Sequence, residues 1–193
     1  MKKLKSICSA IAAFCVLALA GCDLDIPESD KPDYTDDVIY DKGTATVSDW
    51  GTALKVGFSP MEGTWTYSFS DESGNEILAE STVTGAGVWW TNRVDSTQVA
   101  LSEGETLILY LECTKLASNG NASLAIHAAN SNGWWWYNPA DGNFWGDDSL
   151  SATFTKTYTT DGTRNISTNV KFKFIITRSG TDLNWEFQEL GDE

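Results

Sequence analysis

The chain has few cysteines, one histidine and no long apolar run, and each shortage excludes a class of protein. Three of its four cysteines lie within the first 22 residues, which leaves Cys113 alone in the body. A disulfide framework within the body is therefore excluded. The single histidine, His127, excludes a metal centre built from several histidines. The longest apolar run, residues 11–20, is too short to span a bilayer as a helix.

Positive charge is also scarce. The chain carries 13 Lys and Arg against 27 Asp and Glu, and its net charge is −14. Residues 1–21 contain three lysines and no acid, so without them the net charge becomes −17. A body this acidic repels phosphate groups, which argues against nucleic acid and anionic lipid as ligands.

No catalytic motif is present. The sequence contains no HExxH, no CxxC and no Ser-His-Asp context. A small glycoside hydrolase would need two carboxylates flanking the scissile bond, but with 27 acids candidate pairs are always available and carry no information. Cys113 lies on the apolar phase of a predicted strand, which favours a core thiol over a nucleophile. We therefore expect a non-catalytic protein.

Residues 1–21 have the layout of a removable signal peptide. A basic start precedes the apolar run, and small residues then lead to Cys22. Leu19-Ala20-Gly21-Cys22 resembles the bacterial lipobox, and this resemblance implies cleavage before Cys22 and acylation of that cysteine, with palmitate among the chains. Several acyl chains hold a protein on a membrane without a transmembrane helix. The alternative is an ordinary secretory peptide cut nearby.

Residues 22–42 form a predicted flexible, acidic tether. Eight carboxylates repel one another and few residues are apolar, so we expect an extended segment, of which residues 23–41 can be removed without loss of the fold. An acidic run after the lipidated cysteine resembles the surface-export signal of lipoproteins in glycan-foraging Gram-negative bacteria. That resemblance implies an outer-membrane location facing the exterior, with glycan-import proteins as possible partners. Asp23 beside the cysteine leaves inner-membrane retention open.

The body, residues 43–190, is predicted to be all-β. Apolar and polar residues alternate with a period of two along several short segments, such as residues 54–58, 65–69, 107–113, 124–128, 170–176 and 183–187. Turn sequences rich in Gly, Asn, Asp and Ser separate them. Many short strands with polar turns indicate a single antiparallel β-sandwich.

Nine tryptophans are the unusual feature of this composition. Trp65 and Trp185 lie on apolar strand phases and are predicted core residues. The other aromatic clusters lie in polar, loop-like surroundings and comprise Trp89, Trp90, Trp134, Trp135, Trp136, Tyr137 and Trp145. Either the loops bury these rings as satellite cores, or some rings form an exposed platform on which sugar C–H faces stack while nearby amides and carboxylates bind hydroxyls.

The run from Gly87 to Ala128 resembles the middle of family-four and family-nine carbohydrate-binding modules. The matching elements are Trp90, the pair Asn92-Arg93, Leu101 with Gly104, the strand 107–113, Ala117-Ser118 and the strand 124–128. The Trp-rich insert 130–148 departs from that pattern. The resemblance implies a jelly-roll sandwich that holds a glycan on its concave sheet or at its end loops.

The resemblance also implies site residues. These are Asn92 or Arg93 and the polar-phase residues Tyr110, Glu112 and His127, although the last three also suit an ordinary solvated strand face. Some such modules hold a structural calcium, for which Asp141, Asp147 and Asp148 could supply oxygens; loop solubility explains them as well, and no cofactor is expected. The expected function is capture of a polysaccharide at the cell surface. The alternative is a structural or adhesive surface lipoprotein that binds another protein, since exposed Trp and Tyr also form protein hot spots.

The lipobox resemblance predicts the effect of Cys22→Ala. Without the thiol there is no acylation site, so the variant should remain unprocessed by the lipoprotein peptidase and be released from, or misplaced among, the membranes. Membrane fractionation of cells expressing both forms measures this. Unchanged partitioning of the variant would contradict the anchor.

Overall fold

Twelve antiparallel strands make up the part of the chain that the computed structural model describes, which is residues 38–51, 54–85, 97–117, 122–130, 133–140, 142–148, 150–156 and 166–190. They belong to one compact unit, Tyr34–Glu193. The strands are β1 (Val38–Thr46), β2 (Lys55–Pro60), β3 (Thr64–Asp71), β4 (Glu76–Thr84), β5 (Val99–Ala100), β6 (Thr106–Lys115), β7 (Leu124–Ala129), β8 (Trp134–Asn138), β9 (Asn143–Gly146), β10 (Ser151–Lys156), β11 (Lys171–Ser179) and β12 (Asp182–Glu189). Over these ranges the chain has no helix with the length and apolarity needed to cross a membrane.

Two sheets pack face to face, so the predicted antiparallel β-sandwich is confirmed. The larger sheet has the strand order β10-β1-β12-β11-β6-β3-β4, and the smaller sheet has the order β5-β2-β7-β8-β9. The chain crosses between the sheets several times, because β2, β5 and β7 to β9 belong to the smaller sheet and the rest to the larger. Each sheet therefore has an inner face toward its partner and an outer face away from it.

The predicted alternation positions the core. Leu107, Leu109, Leu111 and Cys113 of β6 are buried, as are Phe172, Phe174 and Ile176 of β11. Trp65 is fully buried and Trp185 is 2% exposed, which confirms both as core residues. Their polar neighbours along the same strands point to the outer face, as the period of two requires.

Aromatic rings join the two sheets. Tyr137 of β8 approaches Trp185 of β12 with ring centroids 4.6 Å apart, and it also contacts Phe187 at 5.9 Å. Trp135, two residues earlier, lies 6.0 Å from Trp185 and 6.1 Å from Phe174. These distances are in the range in which aromatic pairs attract beyond the area they bury, by about 0.5–1.5 kcal/mol each. The inner face of β8 is therefore an aromatic seam between the sheets.

The sandwich begins earlier than predicted. Strand β1 begins at Val38, so residues 38–42, which were predicted as part of the tether 22–42, lie in a strand of the sandwich, and we expect that they cannot be removed without loss of stability. Asp41 is completely buried, and its carboxylate accepts a hydrogen bond from the Tyr137 hydroxyl across the interface between the sheets. Sequence reasoning took this acid for part of the solvated run because a single sequence does not show which carboxylate has a buried donor.

Truncation tests this boundary. A chain that begins at Gly43 loses half of β1 and deprives the Tyr137 hydroxyl of its Asp41 acceptor, so the free energy of unfolding should fall by at least about 1–3 kcal/mol, the cost of a lost buried hydrogen-bond partner. Chemical denaturation monitored by Trp fluorescence measures the change. The matched control begins at Tyr34 and keeps all of β1. Equal stability of the two truncations would show that the folded domain begins only after Lys42, as the sequence predicted.

Candidate functional site

The outer face of the larger sheet carries a row of hydroxyl and amide side chains. Thr153, Thr44, Asn184, Thr177 and Thr106 lie in register on five adjacent strands, β10, β1, β12, β11 and β6. The Thr44 hydroxyl donates to Asn184 Oδ1 at 2.7 Å, and the hydroxyls of Thr106 and Thr177 are 2.8 Å apart. These hydrogen bonds fix the side chains, so the row presents ordered donors and acceptors to the solvent.

Two depressions lie on this same outer face, and together we call them the large-sheet groove. The first encloses about 530 Å³ and is lined by Lys42, Thr44, Thr153, Ile175, Thr177, Asn184 and Glu186, with backbone from Gly43 and Trp185. The second encloses about 250 Å³ and is lined by Thr66, Ser68, Glu80, Tyr110, Glu112, Lys171 and Leu190, with Tyr67, Leu111 and Phe172 beneath. Strand β11 borders both depressions. Most of the side chains that line the two depressions are polar or charged, and Ile175 and Leu190 are apolar exceptions.

Tyr110 and Glu112, both predicted site residues, meet in the second depression. Tyr110 is 36% exposed, and its register neighbours on the flanking strands are Ser68 and Lys173. Glu112 is half-buried and lies in register with Lys171. A phenol ring is thus surrounded by hydroxyl and charged side chains.

The outer face of the smaller sheet carries a different row, which we call the small-sheet row: Gly57, His127, Trp136 and Trp145. The imidazole of His127 packs on the indole of Trp136, with ring centroids 4.7 Å apart. At the first end of the row, a Cβ on Gly57 would lie 2.8 Å from the carbonyl oxygen of Thr97, so the chain crosses closely over this glycine. The row is therefore covered at its β2 end.

The prediction that His127 faces solvent is wrong, because His127 is 1% exposed. It does occupy the polar phase of β7, but both phases of this strand are buried. The alternation of Leu124, Ile126 and Ala128 correctly marked the inner face. It could not reveal that the opposite face of the smaller sheet is also covered.

The 134–137 segment was predicted as a loop whose rings form either a satellite core or an exposed platform, and it is strand β8 instead. Trp135 and Tyr137 are fully buried in the aromatic seam, and Trp136 is 3% exposed in the small-sheet row, so these three are not surface binding residues. Trp134 is half-buried. Among the flanking residues that suggested a loop, Asn130 and Gly133 are hydrogen-bonded to each other before this short strand, and the Gly142 N–H donates to the Asn138 carbonyl after it.

Trp145 is the exposed ring of this group. It is 38% exposed, lies opposite Trp136 on β9, and has the exposed Asn143 two residues away on the same face. The other predicted site residues, Trp89, Trp90, Asn92 and Arg93, lie outside the described residues, as does Asp141. The sequence did not identify Thr44, Thr177 and Asn184 as site residues, because only strand register brings them together.

Neither a thiol site nor a metal site emerges in the described part of the chain. Cys113 is buried, and this burial raises the pKa of its thiol, which keeps it protonated and unreactive near neutral pH. Among the residues described, no three His, Cys, Asp or Glu side chains come together in a way that could hold a metal ion.

No protein-family model, curated protein or solved structure matches this chain. The resemblance to family-four and family-nine modules therefore remains an expectation.

The burial of Trp136 and the exposure of Trp145 predict opposite responses to truncation. Trp136→Ala removes a buried indole and should lower the free energy of unfolding by about 3–5 kcal/mol, while Trp145→Ala should change it by less than about 1 kcal/mol. Thermal unfolding of the two variants side by side measures the difference. A comparable loss of stability in Trp145→Ala would show that its ring is a core group.

Proposed function

We propose that this protein is a non-catalytic carbohydrate-binding lipoprotein that holds a polysaccharide in the large-sheet groove. The observation that carries the proposal is the exposed Tyr110 ring set among hydroxyl and charged side chains. The lipid anchor at Cys22, an outer-membrane location facing the exterior and cooperation with glycan-import proteins belong to the same proposal. Their support is the Leu19-Ala20-Gly21-Cys22 sequence and the acidic run that follows it.

The chemistry of the groove suits a sugar ring. A pyranose has C–H groups on its face and hydroxyls at its edge, so it needs a flat ring beneath it and hydrogen-bonding groups beside it. Tyr110 supplies the ring, and Glu112 and Ser68 flank it in the same depression. A few convergent polar groups around an aromatic surface are the common composition of small-ligand sites. Because strands rather than loops carry these side chains, little conformational entropy is lost on binding.

Two depressions on one face suit a chain rather than a single sugar. The two depressions lie on one face and share β11, and the Thr and Asn row crosses five strands of that face. A polysaccharide laid over this face can place one residue over Tyr110 and others among the hydroxyls of the row. Each added contact is weak, and the sum gives retention of a long glycan.

Charge selects against acidic glycans. The groove contains Lys42 and Lys171 together with Glu80, Glu112 and Glu186, and Lys173 lies beside Tyr110, so its own charges balance. The whole chain has a net charge of −14, and its field disfavours uronate or sulfate groups, whereas neutral hydroxyls can bond to either sign of side chain. We therefore expect a neutral polysaccharide.

A protein partner fits this groove less well. Protein hot spots are aromatic anchors within a desolvated, largely apolar centre. Here, in the described part of the larger sheet, Tyr110 and Ile77 are the exposed large hydrophobic residues, and Tyr110 stands among polar side chains. This composition favours a ligand that is itself mostly hydroxyl.

Affinity electrophoresis tests the proposal. The protein runs in gels containing mixed-linkage β-glucan, xyloglucan, arabinoxylan or galactomannan, and in gels containing polygalacturonate. At least one neutral polymer should retard it and polygalacturonate should not. Tyr110→Ala should weaken binding of the retained polymer by about 1–3 kcal/mol, by analogy with base–aromatic stacking, while Tyr110→Phe keeps most of the retardation.

The matched control is Ile77→Ala, which removes an exposed apolar side chain that has no ring. It should leave the mobility unchanged, and thermal unfolding should show all three variants folded. Equal retardation of Tyr110→Ala and the unmodified protein would remove the groove from the proposal, and absence of retardation by every neutral polymer would refute glycan binding by this panel.

A further inference from the structure

We infer that Trp145 forms a second saccharide-binding site, on the face of the sandwich opposite the large-sheet groove. Its ligand class rests on the proposed function, but its location rests on independent observations. Tyr110 belongs to the outer face of the larger sheet, and Trp145 belongs to the outer face of the smaller one. The whole core separates the two rings, so a single sugar cannot contact both.

The small-sheet row explains why this ring faces outward at the edge of the smaller sheet. The row is buried along most of its length, since His127 and Trp136 are 1% and 3% exposed, and exposure rises to 38% at Trp145. Gly57 allows the chain near Thr97 to cover the first end of the row. The last ring therefore lies at the open end of a packed row, in register with Trp136 on the neighbouring strand.

The surroundings of Trp145 favour a ligand that is apolar on one face and polar at its edge. Trp145 is the one exposed large hydrophobic residue that the structure describes in the smaller sheet. Asn143 on the same face is exposed, and Asp148 beyond the end of β9 is exposed as well. A protein or lipid partner needs a contiguous apolar patch of several hundred Å², whereas one indole with an exposed amide two residues away on the same face is the size of a sugar ring.

The consequence is that one molecule binds two glycan segments at once. A polysaccharide offers many equivalent segments, so a protein with two sites bridges separate chains, and a protein with one site does not. Bridging appears as turbidity when the protein is mixed with a soluble polymer, which binding at one site alone cannot produce.

The experiment uses the unmodified protein, Tyr110→Ala, Trp145→Ala and the double variant, with the four neutral polymers of the gel panel as probes. The measurements are gel retardation and turbidity at equal protein concentration. The unmodified protein should be retarded and should produce turbidity. Each single variant should be retarded less, corresponding to an affinity roughly 5- to 150-fold lower at the altered site, and should produce no turbidity. The double variant should migrate as in a gel without polymer.

Two further variants separate binding from folding. Trp145→Tyr keeps a ring on β9 and should restore most of the turbidity, whereas Asn143→Ala keeps the ring, removes the adjacent amide and should reduce it in part. Thermal unfolding of each variant shows whether a lost signal reflects lost structure. If Trp145→Ala unfolds, high turbidity in Trp145→Tyr and reduced turbidity in Asn143→Ala support the second site, and the opposite results contradict it.

The outcomes distinguish this inference from the proposed function. Full retardation and turbidity in Trp145→Ala would overturn the second site and leave the groove intact. Loss of all binding in Trp145→Ala with no effect of Tyr110→Ala would overturn the groove, and would make Trp145 a sole site rather than a second one. Self-association without polymer that Trp145→Ala abolishes would assign the ring to a protein contact. No retardation of the unmodified protein by any polymer would overturn both sites.

Discussion

Aromatic packing between the sheets is the interaction on which the rest of this structure depends. Tyr137 and Trp135 of β8 enter the core between the sheets, where they meet Trp185, Phe174 and Phe187. Since side chains alternate along a strand, burial of these two rings places Trp136 on the outer face of the smaller sheet. The register with β9 then places Trp145 beside it. The position of every ring on that face follows from which two rings of β8 are buried.

The same seam explains how a charged side chain can lie in the core. Asp41 is buried opposite β8, where the Tyr137 hydroxyl donates a hydrogen bond to it. A tyrosine in the seam presents an apolar ring to Trp185 and a polar tip to the carboxylate, so one side chain serves both neighbours. A phenylalanine at that position would satisfy the rings and leave the acid without this donor, which is a costly arrangement in a core.

The sequence predicted the architecture well and the site only in part, for physical reasons. Strands such as β6 and β12 pack one face on the core and expose the other, so the period of two is visible in their residues. It fails for β7, where both faces are buried and His127 resembles a solvent-facing residue. It also fails for β8, whose short length and polar flanks suggest a loop. Tyr110 and Glu112 were identifiable as polar-phase residues of one strand. Thr44 and Asn184 were not, because they lie 140 residues apart and meet only through strand pairing.

The pairing of the first strand on both of its sides has a mechanical consequence. β1 lies between β12 and β10, and it is hydrogen-bonded to both along most of its length. Antiparallel ladders run perpendicular to the strands, so a pull on the N-terminal end along the strand axis loads the bonds of both ladders together in shear. A first strand at the edge of a sheet would have one ladder to resist the pull instead of two. If the proposed anchor at Cys22 holds the domain against the drag of a bound polymer, that drag falls on a strand that is paired on both sides.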